Sequence, residues 1–453
     1  MKNVLRRRSA RDEALERLGT AADRSKLWLA AGAVMWATGN RFMRRAALRG
    51  LLSVGLSAAL LHGIERALGG RKVGWFPSNH ASSATAFAAG VVQEIPELTI
   101  PLSVTAAVVG WQRIEGDHHD LVETCTGVAI GGAIAGATAA FWPVAPREPA
   151  EVRRSHQGKE APALRGGEGL TIAINRAAGS AEDSEVRLQQ VLPKAELASI
   201  DVDDGSELRR FLDGAVDRSD AIGVVGGDGS INCAAQVAID AGKPLAVIPG
   251  GTLNHLARDL GLDSIEDSAR AVESGHAISV DVGLIDNRAF LNTASFGSYV
   301  ELVDAREKLE GKLGKWPAVV IALWNVLRDS EPVQVELDGR PRRVWLAFIG
   351  NCRYHPSGFA PSWRERLDDG QLDVRIVDGT SPWARTRLIA SVLTGRLGRC
   401  RVYSQRLMEE LHVRSLQGPI RLARDGETFD GSEEFRVTKG DRPLAIFVPA
   451  PDG

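Results

Sequence analysis

Short apolar runs separated by glycines fill the second half of the chain, from Leu170 onwards. Strands buried inside a parallel sheet read as continuous apolar runs of roughly four to eight residues, bounded by glycine or proline. The runs "LTIAIN", "AIGVVG" and "PLAVIP" have this form, and a helix-like stretch follows each of them. Later runs are also strand-like: "VQVELDG", "RRVWLAFIG", "QLDVRIV", "PIRLARDG" and "LAIFVPA". The pattern predicts strands alternating with helices first, and strand-rich sequence afterwards.

Long uncharged stretches, instead of short strands, mark the first 143 residues. Residues 124–146 hold no charged side chain, and about 20 apolar residues are enough for a helix to span a bilayer. Three further stretches lack Lys, Arg, Asp and Glu: residues 50–64, 73–93 and 98–112. The pattern favours an all-α membrane bundle over residues 46–143. A soluble, alanine-rich helical bundle is the alternative.

Charge is unevenly distributed along the chain. The whole sequence has a formal charge of −2, but residues 1–72 carry 15 basic and 5 acidic side chains, a net +10. A basic front end favours an anionic neighbour, either lipid or nucleic acid. Within the basic segment 1–45 and just after it, four arginines precede an apolar stretch, which predicts a cytoplasmic end for that span. They are Arg41, Arg44, Arg45 and Arg49.

Composition also predicts a linker and a reducing compartment. Residues 144–167 are rich in proline, glycine and charge, as linkers are. The four cysteines are scattered without a C-x-x-C pair, which argues against a zinc site or a disulfide scaffold. Unpaired cysteines of this kind are typical of proteins in a reducing compartment.

The stretch "VVGGDGSINCAA" places a carboxylate, Asp228, between glycines where a predicted strand ends. Glycines let a backbone approach phosphates, and the N–H groups at a helix start point at them. A carboxylate beside a triphosphate is useful when Mg²⁺ lies between them. The spacing is neither the dinucleotide fingerprint nor Walker A. A plain glycine turn is the alternative for this stretch taken alone.

Two neighbouring loops repeat the arrangement. "AVIPGGTLNHLAR" is an apolar strand followed by glycines and a polar helix start, and "AINRAAG" puts Asn175 at a third strand end. Three such loops at one sheet edge favour a nucleotide pocket over three independent turns.

Five motifs in order resemble the diacylglycerol kinase catalytic family, which includes bacterial lipid kinases. They are "NRAAG", with Arg176 at the usual proline, "GGDGS", "PGGTLNHLAR", "LDDGQLDV" and "RDGETF". The resemblance implies an α/β nucleotide-binding domain over residues 168–290, of the type shared with NAD kinases, and a β-sandwich over residues 291–453. It also implies that ATP and Mg²⁺ are used.

The same resemblance implies roles for individual residues. Asp425 is expected to be the general base and Glu427 to support it. Asp228 is expected to hold Mg²⁺ in the active site, and Asp369 a structural metal. The nucleotide is expected to contact Asn175, Gly226, Gly227, Asp228, Gly229, Ser230, Gly250, Gly251, Thr252, Asn254 and Arg258. Plain turns remain the alternative for Asp369 and Asp425.

The first half resembles the type 2 phosphatidic acid phosphatase superfamily in "FPSNHASSATAF" and "QRIEGDHHDLVETCTG". The resemblance implies that His119 attacks phosphate, that Glu123 orients it in place of the usual aspartate, and that His80 protonates the leaving alcohol. Arg71, Lys72 and Arg113 are expected to bind phosphate oxygens. Asn79 replaces a glycine of the pattern and the first motif is poor, so a degenerate membrane anchor is the alternative.

These features predict a membrane-bound lipid kinase fused to a lipid phosphate phosphatase-like domain, with the kinase domain in the cytoplasm. The expected partners are a lipid substrate and the cell membrane, and no nucleic acid. The oligomeric state stays open, a homo-oligomer included. The alternatives are a phosphatase with a regulatory nucleotide-binding domain, a lipid-sensing membrane scaffold and a soluble NAD kinase-like enzyme.

Overall fold

A computed structural model gives the fold. It describes residues 26–39, 41–69, 76–115, 121–144, 146–152, 157–176, 181–201, 205–251, 254–298, 300, 331–357, 361, 363–381, 383–393 and 397–450. The chain forms two compact units, which divide between Ala145 and Pro146.

The first unit is helical, as the uncharged stretches predict. Its helices are Lys26–Thr38 (α1), Arg41–Ala67 (α2), Asn79–Glu94 (α3), Thr99–Glu115 (α4) and Leu121–Phe141 (α5). Helix α3 packs against α2, α4 and α5. Small residues allow this close packing: a Cβ atom at Gly90 would lie 3.0 Å from the Cα atom of Gly50.

Buried ion pairs and exposed apolar side chains occur together in this helical unit, which also has an apolar core. The buried Glu94 carboxylate accepts hydrogen bonds from the Nε atoms of Arg45 and Arg49, at 2.9 and 2.8 Å. Of the 19 exposed large apolar side chains in the described residues, 15 belong to this unit. Four of them follow one face of α2 at four-residue spacing: Leu48, Leu52, Leu56 and Leu60. Two of the four arginines predicted as a cytoplasmic cluster are therefore paired within the bundle.

Two described helices are long and apolar enough to cross a membrane, Phe42–Ala67 and Leu121–Ala140. They correspond to two of the four uncharged stretches. The other two stretches lie in α3 and α4, with 16 and 17 residues. At 1.5 Å per residue, such helices are shorter than a hydrocarbon core of roughly 30 Å.

The second unit contains a seven-stranded sheet whose centre is parallel. Its first six strands are Gln157–Glu160 (β1), Leu170–Asn175 (β2), Glu196–Ile200 (β3), Ala221–Gly226 (β4), Leu245–Pro249 (β5) and His276–Val280 (β6). The seventh is the late strand Leu444–Phe447, named β20 below. The order is β1-β6-β20-β5-β4-β2-β3. Residues of β4 and nearly all of β2 and β5 are buried, which explains their continuous apolar sequences.

Helices connect the consecutive strands from β2 to β6. They are Ala181–Val191 (α6), Gly205–Ala215 (α7), Asp228–Ala241 (α8), His255–Asp259 (α9) and Ile265–Ser274 (α10). Helix α8 starts directly after the glycines that end β4. It stops at Gly242, whose φ of 64° suits a glycine.

A larger antiparallel sheet follows. Its eleven strands are Gly283–Ile285 (β7), Arg288–Phe290 (β8), Thr293–Gly297 (β9), Val333–Leu337 (β10), Arg340–Asn351 (β11), Leu372–Asp378 (β14), Tyr403–Met408 (β15), Glu410–Ser415 (β16), Arg421–Arg424 (β17), Glu427–Asp430 (β18) and Glu434–Lys439 (β19). A separate small ladder joins Tyr354–His355 (β12) to Trp363–Arg364 (β13), and helix Ala384–Leu393 (α11) follows β14.

The long strand β11 splits this sheet into two branches. It pairs with β10 along its first part, and with β9 and β14 along its second part. Both branches contribute to one buried cluster, which includes Val335 and Val413 from one branch and Phe296 and Leu422 from the other. The chain thus has a C-terminal antiparallel β-sheet domain where a β-sandwich was expected.

Two predicted boundaries need correction. Residues 144–167 do not form a free linker, because β1 pairs with β6 and the side chains of Val152 and Leu164 are buried in the core of the second unit. The predicted domain boundary after residue 290 does not coincide with the division between the two sheets either. The hairpin of β7 and β8 belongs to the larger sheet, and β20 returns between β5 and β6.

Candidate active site

The two glycine loops pack backbone against backbone at the carboxyl edge of the first sheet. The N–H of Gly250 donates to the carbonyl of Gly226 at 3.1 Å. A Cβ atom at Gly250 would lie 3.0 Å from the nitrogen of Gly226, and one at Gly226 would lie 2.6 Å from the Cβ atom of Ser230. Side chains are therefore excluded, and the surface offered to a ligand is backbone.

Three predicted polar residues hold these loops in shape. The Asn175 amide donates to the Ser230 hydroxyl at 2.9 Å and so joins β2 to α8. Asn254 adopts a φ of 46°, accepts from the N–H of Gly251 at 3.0 Å and donates to its carbonyl at 2.8 Å. Asn254 thus closes its own loop. Arg258 is half-buried on α9, and Thr252 lies outside the described residues.

Asp228 is the first residue of α8, where the helix dipole stabilises a carboxylate. Its Oδ1 atom accepts from the N–H of His255 at 3.0 Å and from the Asn292 amide at 3.3 Å. Burial lowers the pKa of His255, and the Asp228 carboxylate opposes part of that decrease. Asp228 therefore links both glycine loops to the larger sheet.

Asp425 lies in the turn between β17 and β18, with a φ of 45° followed by 91° at Gly426. Its carboxylate accepts three backbone N–H groups, from Leu291, Asn292 and Thr293, at 2.8 to 2.9 Å. Burial nevertheless raises the pKa of Asp425 to about 6. Both oxygens bind the chain itself, which favours a positioning role for Asp425, and its predicted role as general base stays a prediction.

Glu427, two residues later, is exposed at the start of β18. Its Oε1 atom lies 2.7 Å from the position that a Cβ atom at Gly229 would occupy. The Glu427 carboxylate therefore rests on the first turn of α8, beside Asp228. It is the accessible carboxylate of the "RDGETF" motif.

A buried arginine that the sequence analysis missed supports this site. Arg364 pairs with Asp259 at 2.7 Å and donates to the Asn292 side-chain oxygen at 3.1 Å. It also donates to the carbonyl of Leu291 at 2.6 Å. Asn292 ends an apolar run, as Asn175 does, and that repeated position could have indicated it. No sequence signal singles out Arg364.

The metal predicted at Asp369 stays a prediction. Asp369 lies with Asp281 and Cys352 in a group that could hold a metal ion, with ligand atoms within 4.8 Å of one another, but other contacts compete for these ligands. Both Asp369 oxygens accept backbone N–H groups, from Arg353 and Gln371, each at 2.8 Å. The nearby Asp281 carboxylate lies 3.1 Å from the Lys439 ammonium. Burial raises the pKa of the adjacent Cys352 thiol to about 12, which makes it a poor ligand. The Lys439 ammonium thus offsets negative charge beside Asp281 and Asp369.

The predicted phosphatase residues are only partly described. His80 lies at the start of α3 and Glu123 in the first turn of α5. The two helix starts meet, because the N–H of Ser78 donates to the carbonyl of Glu123 at 2.9 Å. Arg71, Lys72, His119 and the side chain of Arg113 lie outside the described residues.

Comparison with known proteins settles the family. Residues 169–285 match the diacylglycerol kinase catalytic domain. The protein named "Probable lipid kinase YegS-like" from Pseudomonas syringae pv. tomato is 30% identical over 236 residues, which cover 50% of this chain and 74% of that protein. The chain belongs to the diacylglycerol kinase catalytic family. A diacylglycerol kinase of Mycobacterium tuberculosis is 30% identical over 204 residues, 42% of this chain and 66% of that protein. This chain therefore spans just under two thirds of the mycobacterial kinase.

Solved structures are more distant relatives of this kinase-family chain. A diacylglycerol kinase from Bacillus anthracis is 19% identical, with a TM-score of 0.44 over 63% of this chain and 97% of that one. A transmembrane PAP2 type phosphatidylglycerolphosphate phosphatase from Bacillus subtilis is 20% identical, with a TM-score of 0.24 over 30% of this chain and 79% of that one.

Proposed function

We propose that the chain is a membrane-bound lipid kinase that transfers the γ-phosphate of ATP to a lipid hydroxyl. One observation carries the proposal. The accessible Glu427 carboxylate rests on the start of α8, next to Asp228 and to two glycine loops that offer only backbone. Phosphate-binding backbone and a free carboxylate are the parts that phosphoryl transfer to an alcohol requires.

Each residue has a distinct role in this proposal. The backbone of residues 226–229 and 250–251 binds the phosphates, and the α8 N-terminus favours their negative charge. Glu427 takes the proton of the attacking hydroxyl, and Asp425 holds residues 291–293 beneath Asp228. Asp228 would hold Mg²⁺, which would neutralise phosphate charge and leave the Glu427 carboxylate available for the proton.

A lipid acceptor and a membrane location agree with the first unit. Many of its large apolar side chains are exposed, and Arg49 pairs with Glu94 in its interior, as in helical bundles within lipid. The names of the relatives include diacylglycerol kinase and lipid kinase. We infer that the chain is held in the cell membrane, with its second unit in the cytoplasm, where ATP is available.

A second activity, phosphate-ester hydrolysis, is proposed for the helical unit. The hydrogen bond between Ser78 and Glu123 supports this activity, because it brings together the helix starts that carry His80 and Glu123. Release of phosphate from phosphatidic acid without nucleotide would support this activity. Release that is unchanged in His80→Gln would contradict it.

ADP release stimulated by diacylglycerol tests the kinase proposal. We expect ADP release by the purified full chain to require both diacylglycerol vesicles and Mg²⁺. Glu427→Gln should abolish the stimulation, whereas Glu434→Gln, a matched change on β19, should keep it. Diacylglycerol-independent ADP release, or equal stimulation in Glu427→Gln, would contradict the proposal.

A further inference from the structure

One lysine of the second unit, Lys439 at the end of β19, has its ammonium inside the fold. Its side chain is 15% exposed, and the ammonium lies 3.1 Å from the Asp281 carboxylate. The ammonium also donates to the Asn351 side-chain oxygen at 2.6 Å and to the Cys352 sulfur at 3.4 Å. An ammonium has three N–H donors, and these three contacts can use all of them. Lys439 is therefore built into the fold, unlike a solvated surface lysine.

The contacts around this ammonium connect four separate segments of the chain. Lys439 ends β19, Asp281 lies between β6 and β7, and Asn351 and Cys352 lie at the end of β11. The fourth segment is the loop before β14, where the N–H of Gly370 donates to Asp281 Oδ2 at 2.8 Å. The Cys352 thiol donates to the same oxygen at 3.6 Å. A single positive charge at this point holds together segments that a bound metal would otherwise join.

The ammonium and a divalent metal compete for the same acids. Asp281, Cys352 and Asp369 have ligand atoms within 4.8 Å of one another. A Mg²⁺ ion binds a carboxylate oxygen at roughly 2.1 Å. If it bound Asp281 Oδ2, it would lie no more than about 5 Å from the ammonium, which is 3.1 Å from that oxygen. Repulsion between the two cations therefore opposes a metal while Lys439 is in place.

Asn351 connects the ammonium to the candidate active site. Its side-chain oxygen accepts from Lys439, and its amide nitrogen donates to the carbonyl of Leu291 at 2.9 Å. Its backbone N–H donates to the carbonyl of Asn292 at 2.9 Å. Asn292 in turn donates to Asp228 at 3.3 Å. The charge at Lys439 thus supports a segment that contacts an active-site carboxylate.

We propose that Lys439 is a built-in replacement for the structural metal that the family resemblance implies. Its ammonium supplies the positive charge beside Asp281 and Asp369, and no divalent ion binds there in the native chain. Removal of the ammonium leaves two carboxylates and turns the same place into a site for a hard divalent cation. The proposal concerns ion binding within the second unit, so it does not depend on the proposed kinase function.

A count of bound Mn²⁺ tests the native chain directly. The purified full chain would be titrated with Mn²⁺ without nucleotide, and the free ion would be measured by electron paramagnetic resonance. We expect Asp369→Asn to bind as many ions as wild type, because the Asp369 carboxylate holds no ion. Loss of one bound ion in Asp369→Asn would overturn the proposal.

Lys439→Met tests the converse, that the site takes a metal once the ammonium is removed. We expect its Tm in EDTA to be about 5 °C or more below that of wild type, because a half-buried carboxylate loses its partner. Added Mn²⁺ should restore most of this loss and bind as one additional ion. A second substitution, Asp369→Asn, should abolish both effects. A lysine with a merely structural role would not create a metal site when it is removed.

Lys194→Met is the matched control, because it removes the ammonium of an exposed pair with Glu168, 2.7 Å apart. It should gain no bound ion and no stabilisation by Mn²⁺. A Tm of Lys439→Met that Mn²⁺ does not raise, or an equal rise in the control, would contradict the proposal. If Lys439→Met does not fold, the ion count in Asp369→Asn decides alone.

Discussion

Two carboxylates of one hairpin, Asp425 and Glu427, have opposite environments at the scale of single residues. Asp425 binds three backbone N–H groups, whereas Glu427 is exposed and rests on Gly229. A general base must reach the substrate proton, so accessibility favours Glu427. Gly229 is needed for this position of Glu427, since only a residue without a side chain leaves room for the carboxylate.

Gly229→Ala tests this contact. The new methyl group meets the flexible end of Glu427, so we expect a normally folded protein whose carboxylate is displaced. We predict a decrease in kcat of about 10- to 100-fold with little change in Tm, because small misplacements of catalytic groups are costly. Gly214→Ala is the matched control, on an exposed helical site with nothing within 4 Å of the new atom. It should keep full activity, and an equal loss in both variants would refute the role of the contact.

His255 gives a pH dependence whose sign follows from its lowered pKa. In the unfolded chain the imidazole binds a proton below about 6.5, whereas the folded protein keeps it neutral to lower pH. Stability should therefore decrease as the pH falls through this range. We expect His255→Gln to flatten the decrease in Tm measured between neutral and mildly acidic pH. A slope that is equally steep in the variant would contradict this assignment.

The sequence predicted the backbone parts of the site but not the division of roles. The glycines at 226–229 and 250–251 could be identified from the sequence, because only glycine allows two loops to pack backbone against backbone. The partners of Asp425 could not be predicted, because they depend on how a hairpin turn folds back on residues 291–293. Arg364 was missed for a similar reason, since its partners come from distant segments of the chain.

At the scale of elements, β20 shows where local pattern is insufficient. The run "LAIF" was correctly predicted as strand-like, but its neighbours are β5 and β6, which precede it by more than 160 residues. Strand partners over such separations are set by the whole fold and not by local sequence. The run of strand, glycine and helix, by contrast, is local, and β2, β4 and β5 formed as predicted.

Truncation after Gly440 tests the importance of β20. The deletion removes a central strand and leaves unpaired edges on β5 and β6, whose buried backbone groups then lose their partners. We expect the truncated chain to lose nucleotide binding and to be cleaved rapidly near β5 and β6 in limited proteolysis. A protease-resistant truncated protein that still binds ATP would show that β20 is dispensable.

At the scale of the whole molecule, the chain joins a helical unit with apolar outer faces to a catalytic unit of the diacylglycerol kinase family. This combination agrees with the proposed lipid acceptor. The hydropathy pattern predicted the helical unit. In one case the uncharged stretch is longer than its helix: residues 73–93 lack charge, whereas α3 has 16 residues and packs among α2, α4 and α5, so its uncharged sequence reflects burial.

Transfer of labelled phosphate from ATP to lipid tests the central claim most directly. The purified full chain would be incubated with γ-labelled ATP, Mg²⁺ and a total lipid extract, and label would be counted in the organic phase. We predict a labelled lipid with wild type and a loss of about 10²- to 10⁴-fold in Glu427→Gln, which should still bind ATP. No labelled lipid from a folded protein that binds ATP would contradict the account.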